Sequence, residues 1–319
     1  MATVEWDETA QAVRLIDQTR LPQQEEYVLC RTADEVAAAI RNMVVRGAPA
    51  IGVAAAYGMA LAAREGRPAE GAARLRAARP TARDLFWAVE SVESAPDPLQ
   101  EAHRISRSCI EASLAMGRHG AAFLPQGARV VTICNTGALA AVEYGTGLAV
   151  VRAAHEAGKD PFVYVMETRP RAQGAKLTTW ELDRLGIPHR LIADGAAGLL
   201  LQRGMADVAI SGADRVCRNG DVVNKVGTYP LALLCRGHGV PFYAVAPTST
   251  IDTGTARGVD VVIEERDPAE VTTFAPAGTE AWNPAFDVTP VELVTALITE
   301  NGPMRGGVDL NGVRTGAQP

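Results

Sequence analysis

The richest groups of reactive side chains in this 319-residue sequence stand where short apolar runs end. Cys134-Asn135-Thr136-Gly137 follows one run, Glu167-Thr168-Arg169-Pro170-Arg171-Ala172-Gln173-Gly174 a second, and Asp194-Gly195 a third. Ser211-Gly212-Ala213-Asp214-Arg215 and Pro247-Thr248-Ser249-Thr250 follow two more. If these ends converge, a thiol, carboxylates, guanidinium groups and hydroxyls line one crevice, a set suited to work on a small polar substrate. Each member also has a plainer reading. A lone cysteine at a strand end serves either catalysis or the core, as a small hydrophobe. Asp214 could cap the next helix. Gly145-Thr146-Gly147 lacks the third glycine of a dinucleotide fingerprint and reads better as a helix start. Lysine use is more pointed, because only Lys159, Lys176 and Lys225 occur among 31 basic residues. Lys225, just beyond Asp214 and near a helix start, offers a compact ammonium to an anionic substrate oxygen; the alternative is an ordinary surface lysine.

Such loops must be held by a parallel sheet, since ligands of open α/β sheets bind beyond the carboxyl ends of the strands. The pattern after Pro125-Gln126-Gly127 fits. Runs at 128–133, 162–165, 189–192, 208–210, 242–245 and 261–263 read as strands, with crossover helices over 147–157, 177–185 and 195–203. Before it lies a different region. Short alternating runs at 4–6, 12–17 and 26–30 predict a small antiparallel sheet. Thr32 and Glu35 then form a capping box for a helix with Val36, Ile40, Met43 and Val44 on one face. Further helices start at Pro49 and at Pro80-Thr81, and another runs from about Pro98 to Gly117. The Ala/Arg-rich stretch 61–82 is made mostly of helix formers. The fold class is thus α/β, with a small N-terminal antiparallel sheet plus helical domain over 1–120 and a Rossmann-like parallel-sheet domain over 121–319. The Gly-rich end from Gly307 is expected to fray.

Composition narrows the function. A net charge of -6 and 5% aromatic residues give no electrostatic footprint or stacking surface for nucleic acid. The N-terminal residues lack a basic segment followed by an apolar run, and the apolar stretches are too interrupted to span a bilayer, so a cytoplasmic protein is expected. The five cysteines and five histidines are scattered without zinc-site spacing. We therefore expect metal-free chemistry, no cofactor and reduced thiols.

At these same residues the sequence resembles the methylthioribose-1-phosphate isomerases of methionine salvage. They lie within the superfamily that includes the alpha, beta and delta subunits of initiation factor 2B. The resemblance is carried by VEWDETAQAVRLIDQTRLP, VVRGAPAIGVAAAYG, RPTARDLFWAV, CNTGALA, ETRPRAQGAKLTTWEL, SGADRVCRNGDVVNKVGTYPLA, PFYAVAPTSTID and WNPAFDVTPVELVTALITENG, in that order. It implies that Cys134 and Asp214 are catalytic and that Arg46, Gly47, Ala48, Arg79, Gln173, Asn224 and Lys225 hold the sugar phosphate between the two domains. It also implies a homodimer associating through the α/β domain. One departure is Ile133, where the family commonly has His. The implied substrate carries phosphate on its anomeric oxygen, so simple ring opening to a free aldehyde is blocked. Asp214, kept protonated by burial, would donate to the ring oxygen, with Cys134 as base or charge stabiliser in an enediol route; a hydride shift is the alternative. Apolar residues after Ala48 and around Phe86-Trp87 are expected to wall a methylthio pocket or merely to pack the helices. The rival functions are an isomerase of ribose 1,5-bisphosphate or 5-deoxyribose 1-phosphate, a non-catalytic regulatory subunit, and a nicotinamide-dependent oxidoreductase.

Overall fold

Alternation of apolar residues makes β1 (Val4–Asp7), β2 (Ala12–Ile16) and β3 (Tyr27–Cys30) an antiparallel meander, with Val4 opposite Leu15 and Val13 opposite Cys30. The computed structural model describes residues 2–79, 82–305 and 310. The meander lies against five helices: α1 (Ala33–Arg41), α2 (Ala48–Arg64), α3 (Pro68–Ala78), α4 (Arg83–Glu93) and α5 (Pro98–Ala121). Helix α2 is apolar on every side and is the buried centre of this group, packed against α4 and α5. Pro49 sits in its first turn, as expected from a ring that fixes φ where the amide needs no partner. Thr32 caps α1 by accepting the Glu35 amide at 3.2 Å, but the Glu35 carboxylate takes the amide of Arg31 and not that of Thr32, so the capping box is only half made. The expected helix start at Pro80-Thr81 and the expected frayed end from Gly307 fall on residues outside those described, apart from Leu310.

The rest of the chain alternates strand and helix. In order come β4 (Arg129–Thr132), α6 (Gly147–Glu156), β5 (Phe162–Met166), α7 (Thr179–Leu185), β6 (His189–Ile192), α8 (Ala197–Gln202), β7 (Val208–Ser211), β8 (Arg215–Cys217), β9 (Val222–Lys225) and α9 (Thr228–His238). Then follow β10 (Phe242–Val245), β11 (Ile251–Asp252), β12 (Phe286–Thr289), β13 (Ala296–Thr299) and β14 (Gly302–Arg305). The main sheet has the order β14-β13-β10-β7-β4-β5-β6, parallel except for β14. The chain winds outward from β4 through β5 to β6, then returns to β7 and winds the other way. The reversal leaves a crevice at the carboxyl ends of the adjacent strands β4 and β7.

Two features differ from the sequence reading. Residues 261–263 are not a strand: they follow a tight turn, Gly258–Asp260, and Val262 is 83% exposed. The place beside β10 is taken instead by β13, with Tyr243 opposite Ala296. A Val-Val-Ile run has strand propensity, but a strand also needs a partner edge, and the main sheet offers none there. A second sheet, β11-β8-β9-β12, was not foreseen. It is folded from the segments on either side of the long excursion 253–285 and hangs over the crevice end of the main sheet.

Candidate functional site

Cys134 lies in the loop after β4 and Asp214 at the end of the loop after β7, so the reversal of strand order brings them together. One cavity is lined by both, and by Arg46, Gly47, Ala48, Arg79, Gln173, Asn224 and Lys225. The plainer readings do not hold for two of these residues. Asp214 caps no helix, because β8 starts directly after it, and Lys225 is buried. Other strand-end loops stay out of the cavity. Of the segment 167–174 only Gln173 lines it; Arg169 donates to the Val271 carbonyl at 2.9 Å and Arg171 pairs with Glu270 at 2.7 Å. Asp194 accepts the amides of Thr168 and Arg169 at 2.8 and 2.7 Å, which fixes that loop from behind.

The backbone at the thiol is unusual. Cys134 has φ 64°, a left-handed conformation that a β-carbon disfavours. It is held there from both sides. Its amide donates to Thr168 Oγ1 at 2.8 Å, and its carbonyl accepts Thr178 Oγ1 at 2.7 Å. Strain retained by such bonds is common where a side chain must face a ligand. Ile133, immediately before it, is fully buried against the core and provides no polar group.

Two arginines reach the cavity from the helical side. Arg46 precedes Gly47, whose φ of 92° and close approach to Ala140 leave no room for a side chain: a β-carbon would lie 2.5 Å from the Ala140 carbonyl oxygen. Arg46 is 6% exposed and gives Nε to Gln18 Oε1 at 3.1 Å and its Nη atoms to the Asn135 carbonyl at 3.1 and 3.2 Å. Arg79 ends α3 and pairs with Glu264 at 3.3 Å. Its Nε and the Gln173 Oε1 are buried without a hydrogen-bond partner. Buried polar atoms are rarely left so, and two of them at one cavity suit a ligand that brings acceptors and hydroxyls.

Lys225, at the end of β9, donates to the Ala285 carbonyl at 2.7 Å and lies 4.8 Å above the Phe286 ring. Burial pushes its ammonium below the ordinary lysine range, against the pull of Cys134 and Asp214, which face it. Asp214 is partly exposed and borders both this cavity and the recess beside it. Burial raises its carboxyl above the ordinary range, although Lys225, Arg79 and Arg46 oppose this. Asn224 donates to Thr228 Oγ1 at 2.9 Å, which ties the end of β9 to the start of α9. The arrangement thus offers a carboxyl of raised pKa, a thiol and three basic side chains about one small space.

A neighbouring recess shares Gly47, Ala48, Arg79, Asp214 and Phe286 with the cavity and is otherwise walled largely by Ile51, Ala82, Val223 and residues 261–263. Arg215 apart, these added walls are apolar; Ile51 is among the residues expected after Ala48, whereas none of those around Phe86-Trp87 reaches the recess. Leu85 is fully buried in the helical core, and Trp87 borders a separate cavity of about 400 Å³ between α2, α4, α5 and the loop after β10. That larger cavity also takes the 247–249 segment and contains neither Cys134 nor Asp214. Residues 261–263 and Phe286, which spacing did not single out, supply the apolar surface instead. Asn135, Thr168, Glu181 and Glu264 were also missed. Asn135 stood beside Cys134 in the sequence, and Glu181 lay within the motif TTWEL; the contacts of all four are long-range and left no spacing signal.

Comparison with known proteins agrees with this geometry. Residues 44–306 match the model of the initiation factor 2 subunit family. The chain is 49% identical to a methylthioribose-1-phosphate isomerase of Pelotomaculum thermopropionicum, over 94% of this chain and 90% of that one. It is 41% identical to the crystal structure of 5-methylthioribose 1-phosphate isomerase from Pyrococcus horikoshii, with TM-score 0.89 and coverage of 97% and 94%. A structure from A. fulgidus described as translation initiation factor eIF-2B, subunit delta, is equally identical at 41%, with TM-score 0.84 and 96% of both chains covered. By the extent of the family match and the identity to these relatives, the chain belongs to the initiation factor 2 subunit family.

Proposed function

We propose that this chain is an aldose-ketose isomerase that converts 5-methylthioribose 1-phosphate to 5-methylthioribulose 1-phosphate. The observation that carries the reading is the meeting of Cys134, Asp214, Lys225 and two arginines at the strand-order reversal. A regulatory subunit has no use for a strained thiol facing an acid of raised pKa, and the curated relatives at about half identity bear the isomerase name.

The phosphate remains on C1 throughout and serves as a handle whose binding energy holds the reacting carbons. Arg46, Arg79, Lys225 and the Gly47-Ala48 amides at the start of α2 take it, with Gln173 and Asn224 on the sugar hydroxyls. Asp214, whose carboxyl burial holds above the ordinary range, gives its proton to the ring oxygen as the ring opens. Cys134 then takes the proton from C2 to leave an enol between C1 and C2; return of that proton to C1 and transfer of the C2 hydroxyl proton to the Asp214 carboxylate complete the ketose. The 5-methylthio group lies in the apolar recess against Ile51, Phe286 and 261–263. A second phosphate there gains little, because Arg215 at the rim is held by Asp252 at 2.8 Å and Arg79 serves the first. The division near residue 120 gives two domains with the substrate between them. The protein acts in the cytoplasm and is a homodimer joined through the α/β part.

The test is turnover of 5-methylthioribose 1-phosphate, 5-deoxyribose 1-phosphate and ribose 1,5-bisphosphate by one preparation, followed by NMR. The deoxy sugar is expected to react about 10 to 200 times less efficiently than the methylthio sugar, the usual value of a small apolar group in a pocket. Preference for the bisphosphate sinks the substrate assignment and leaves the isomerase chemistry standing. Absence of any turnover sinks both.

A further inference from the structure

Glu181 lies in α7 away from the cavity, 5% exposed, and its carboxylate is fully engaged. It accepts the Asn135 side-chain amide at 2.7 Å and the amides of Ala138 and Leu139 at 2.7 and 3.3 Å. Gly137 between them makes this possible, because a β-carbon there would lie 2.2 Å from a Glu181 oxygen. Asn135 in turn presents its carbonyl and its Oδ1 to Arg46. Arg46 gives Nε to Gln18, and Gln18 Nε2 donates to the Leu139 carbonyl at 2.8 Å. The bonds close a ring through the turn after β2, the loop before α2, the loop after β4, and α7. All four side chains in it are buried. Arg46 makes no direct ion pair among the described residues, so Glu181, one amide away, is the carboxylate that balances it within the ring. Four of the five guanidinium hydrogens are used in the ring, leaving one Nη1 hydrogen for a ligand.

We propose that Glu181 is a positioning residue of this isomerase, acting through Asn135 to hold Arg46 in place for the substrate phosphate. The proposal rests on the reading of Arg46 as a phosphate ligand. Cys134 has supports of its own in Thr168 and Thr178, of which only Thr178 also touches the ring, through the Asn135 amide at 3.3 Å, and the Glu181 carboxylate bonds to neither. Removing the Glu181 charge therefore acts on substrate binding more than on turnover. In Glu181→Gln one acceptor oxygen becomes an NH2 group facing N–H donors, and the ring opens. Asn135→Ala removes the Oδ1 contact to Arg46 and the side-chain amide that reaches Glu181 and Thr178, while the backbone carbonyl at 135 still accepts from Arg46 and Glu181 stays bonded to Ala138 and Leu139.

The experiment measures kcat and KM for 5-methylthioribose 1-phosphate in Glu181→Gln, Asn135→Ala, Arg46→Gln and the double variant Arg46→Gln/Glu181→Gln. Glu181→Gln and Asn135→Ala are each expected to raise KM about tenfold with kcat within about threefold of the parent, the pattern of a lost ground-state contact. The double variant is expected to match Arg46→Gln within about twofold, since one path carries both effects. A parental KM in Glu181→Gln, or effects that multiply in the double variant, overturns the proposal. Should Glu181→Gln not fold, Asn135→Ala decides by the same KM criterion. A parental KM in Arg46→Gln, with Cys134→Ser inactive, also overturns it while leaving the catalytic site in place. Full turnover in Cys134→Ser overturns the site reading instead, and the KM pattern still decides the relay.

Discussion

At the scale of the residue, the proposed chemistry turns on two groups that the fold holds in unusual states. Burial raises the Asp214 carboxyl above the ordinary carboxylate range, so its acid form persists to higher pH than that of a free carboxyl and is lost as pH rises through the raised pKa. The rate should therefore fall on the alkaline side as this proton is lost, and Asp214→Asn should remove that limb along with most of the activity. Cys134→Ser and Asp214→Asn are each expected to lower kcat at least about a hundredfold with the fold intact, the usual scale for a positioned acid or base. Near-parental kcat in either removes that residue from the mechanism. The other cysteines provide the control. Burial pushes the Cys30 thiol up to about 11 and those of Cys109, Cys217 and Cys235 up to about 12, which leaves them protonated and inert. Their replacement by Ser or Ala should cost stability and leave kcat unchanged; loss of turnover in a folded variant points to a different thiol. Among the described residues no group of three or more His, Cys, Asp or Glu is placed for a metal ion. Turnover is expected to survive prolonged chelation, and its rescue by a divalent ion would show that a metal takes part.

At the scale of the element, helix α4 meets the loop after β10 through a buried carboxylate. Asp84 accepts Thr250 Oγ1 at 3.2 Å, while its Oδ1 has no partner. Burial raises its pKa to about 6 from an ordinary value of 3.8. The folded state thus holds the proton more tightly than the unfolded one. This contribution is fully present below about pH 4 and lost as pH rises through 6, about 3 kcal/mol at the usual 1.36 kcal/mol for each pKa unit. Asp84→Asn should gain stability over the parent at pH 8 and match it near pH 4, as read from urea midpoints. A variant less stable than the parent at pH 8 refutes this account. A second element-scale prediction concerns the entry to α2. Gly47→Ala puts a β-carbon against Ala140 at a positive φ, which is expected to cost about 1 to 3 kcal/mol and to displace Arg46. Unchanged KM and unfolding midpoint in that variant would show the approach to be slacker than its geometry.

At the scale of the molecule, helices α8 and α9 pack side by side and expose Leu199 (50%), Leu233 (44%) and Tyr229 (38%). If the proposed homodimer forms through the α/β part, these exposed apolar side chains are where its interface is expected. Leu199→Glu/Leu233→Glu is expected to sediment as a monomer where the parent sediments as a dimer. A parent that is itself monomeric removes the homodimer, and a dimeric variant moves the interface to another face. No helix among the described residues is long and apolar enough to cross a membrane.

Much of this protein was legible in local pattern because local physics governs it. The meander, the buried α2 and five of the parallel strands follow from alternation and from 3.6-residue periodicity, which the chain must satisfy wherever it packs. Cys134 and Asp214 stood out as polar groups at strand ends, although their roles came from family resemblance and not from spacing. Other features depended on what lies across the fold. The run 261–263 has strand composition but no free edge to pair with, so it became a wall of the recess, while the less conspicuous 296–299 took the place beside β10. The ring from Gln18 through Arg46 and Asn135 to Glu181 joins residues up to 163 positions apart (181 − 18), and no local signal marks such partners. Sequence by itself therefore determined the meander, most of the helices, five of the parallel strands and which loops are polar. Tertiary structure decided which of those loops meet, because burial, charge balance and the absence of a side chain at Gly47 and Gly137 are settled only when distant segments compete for the same space.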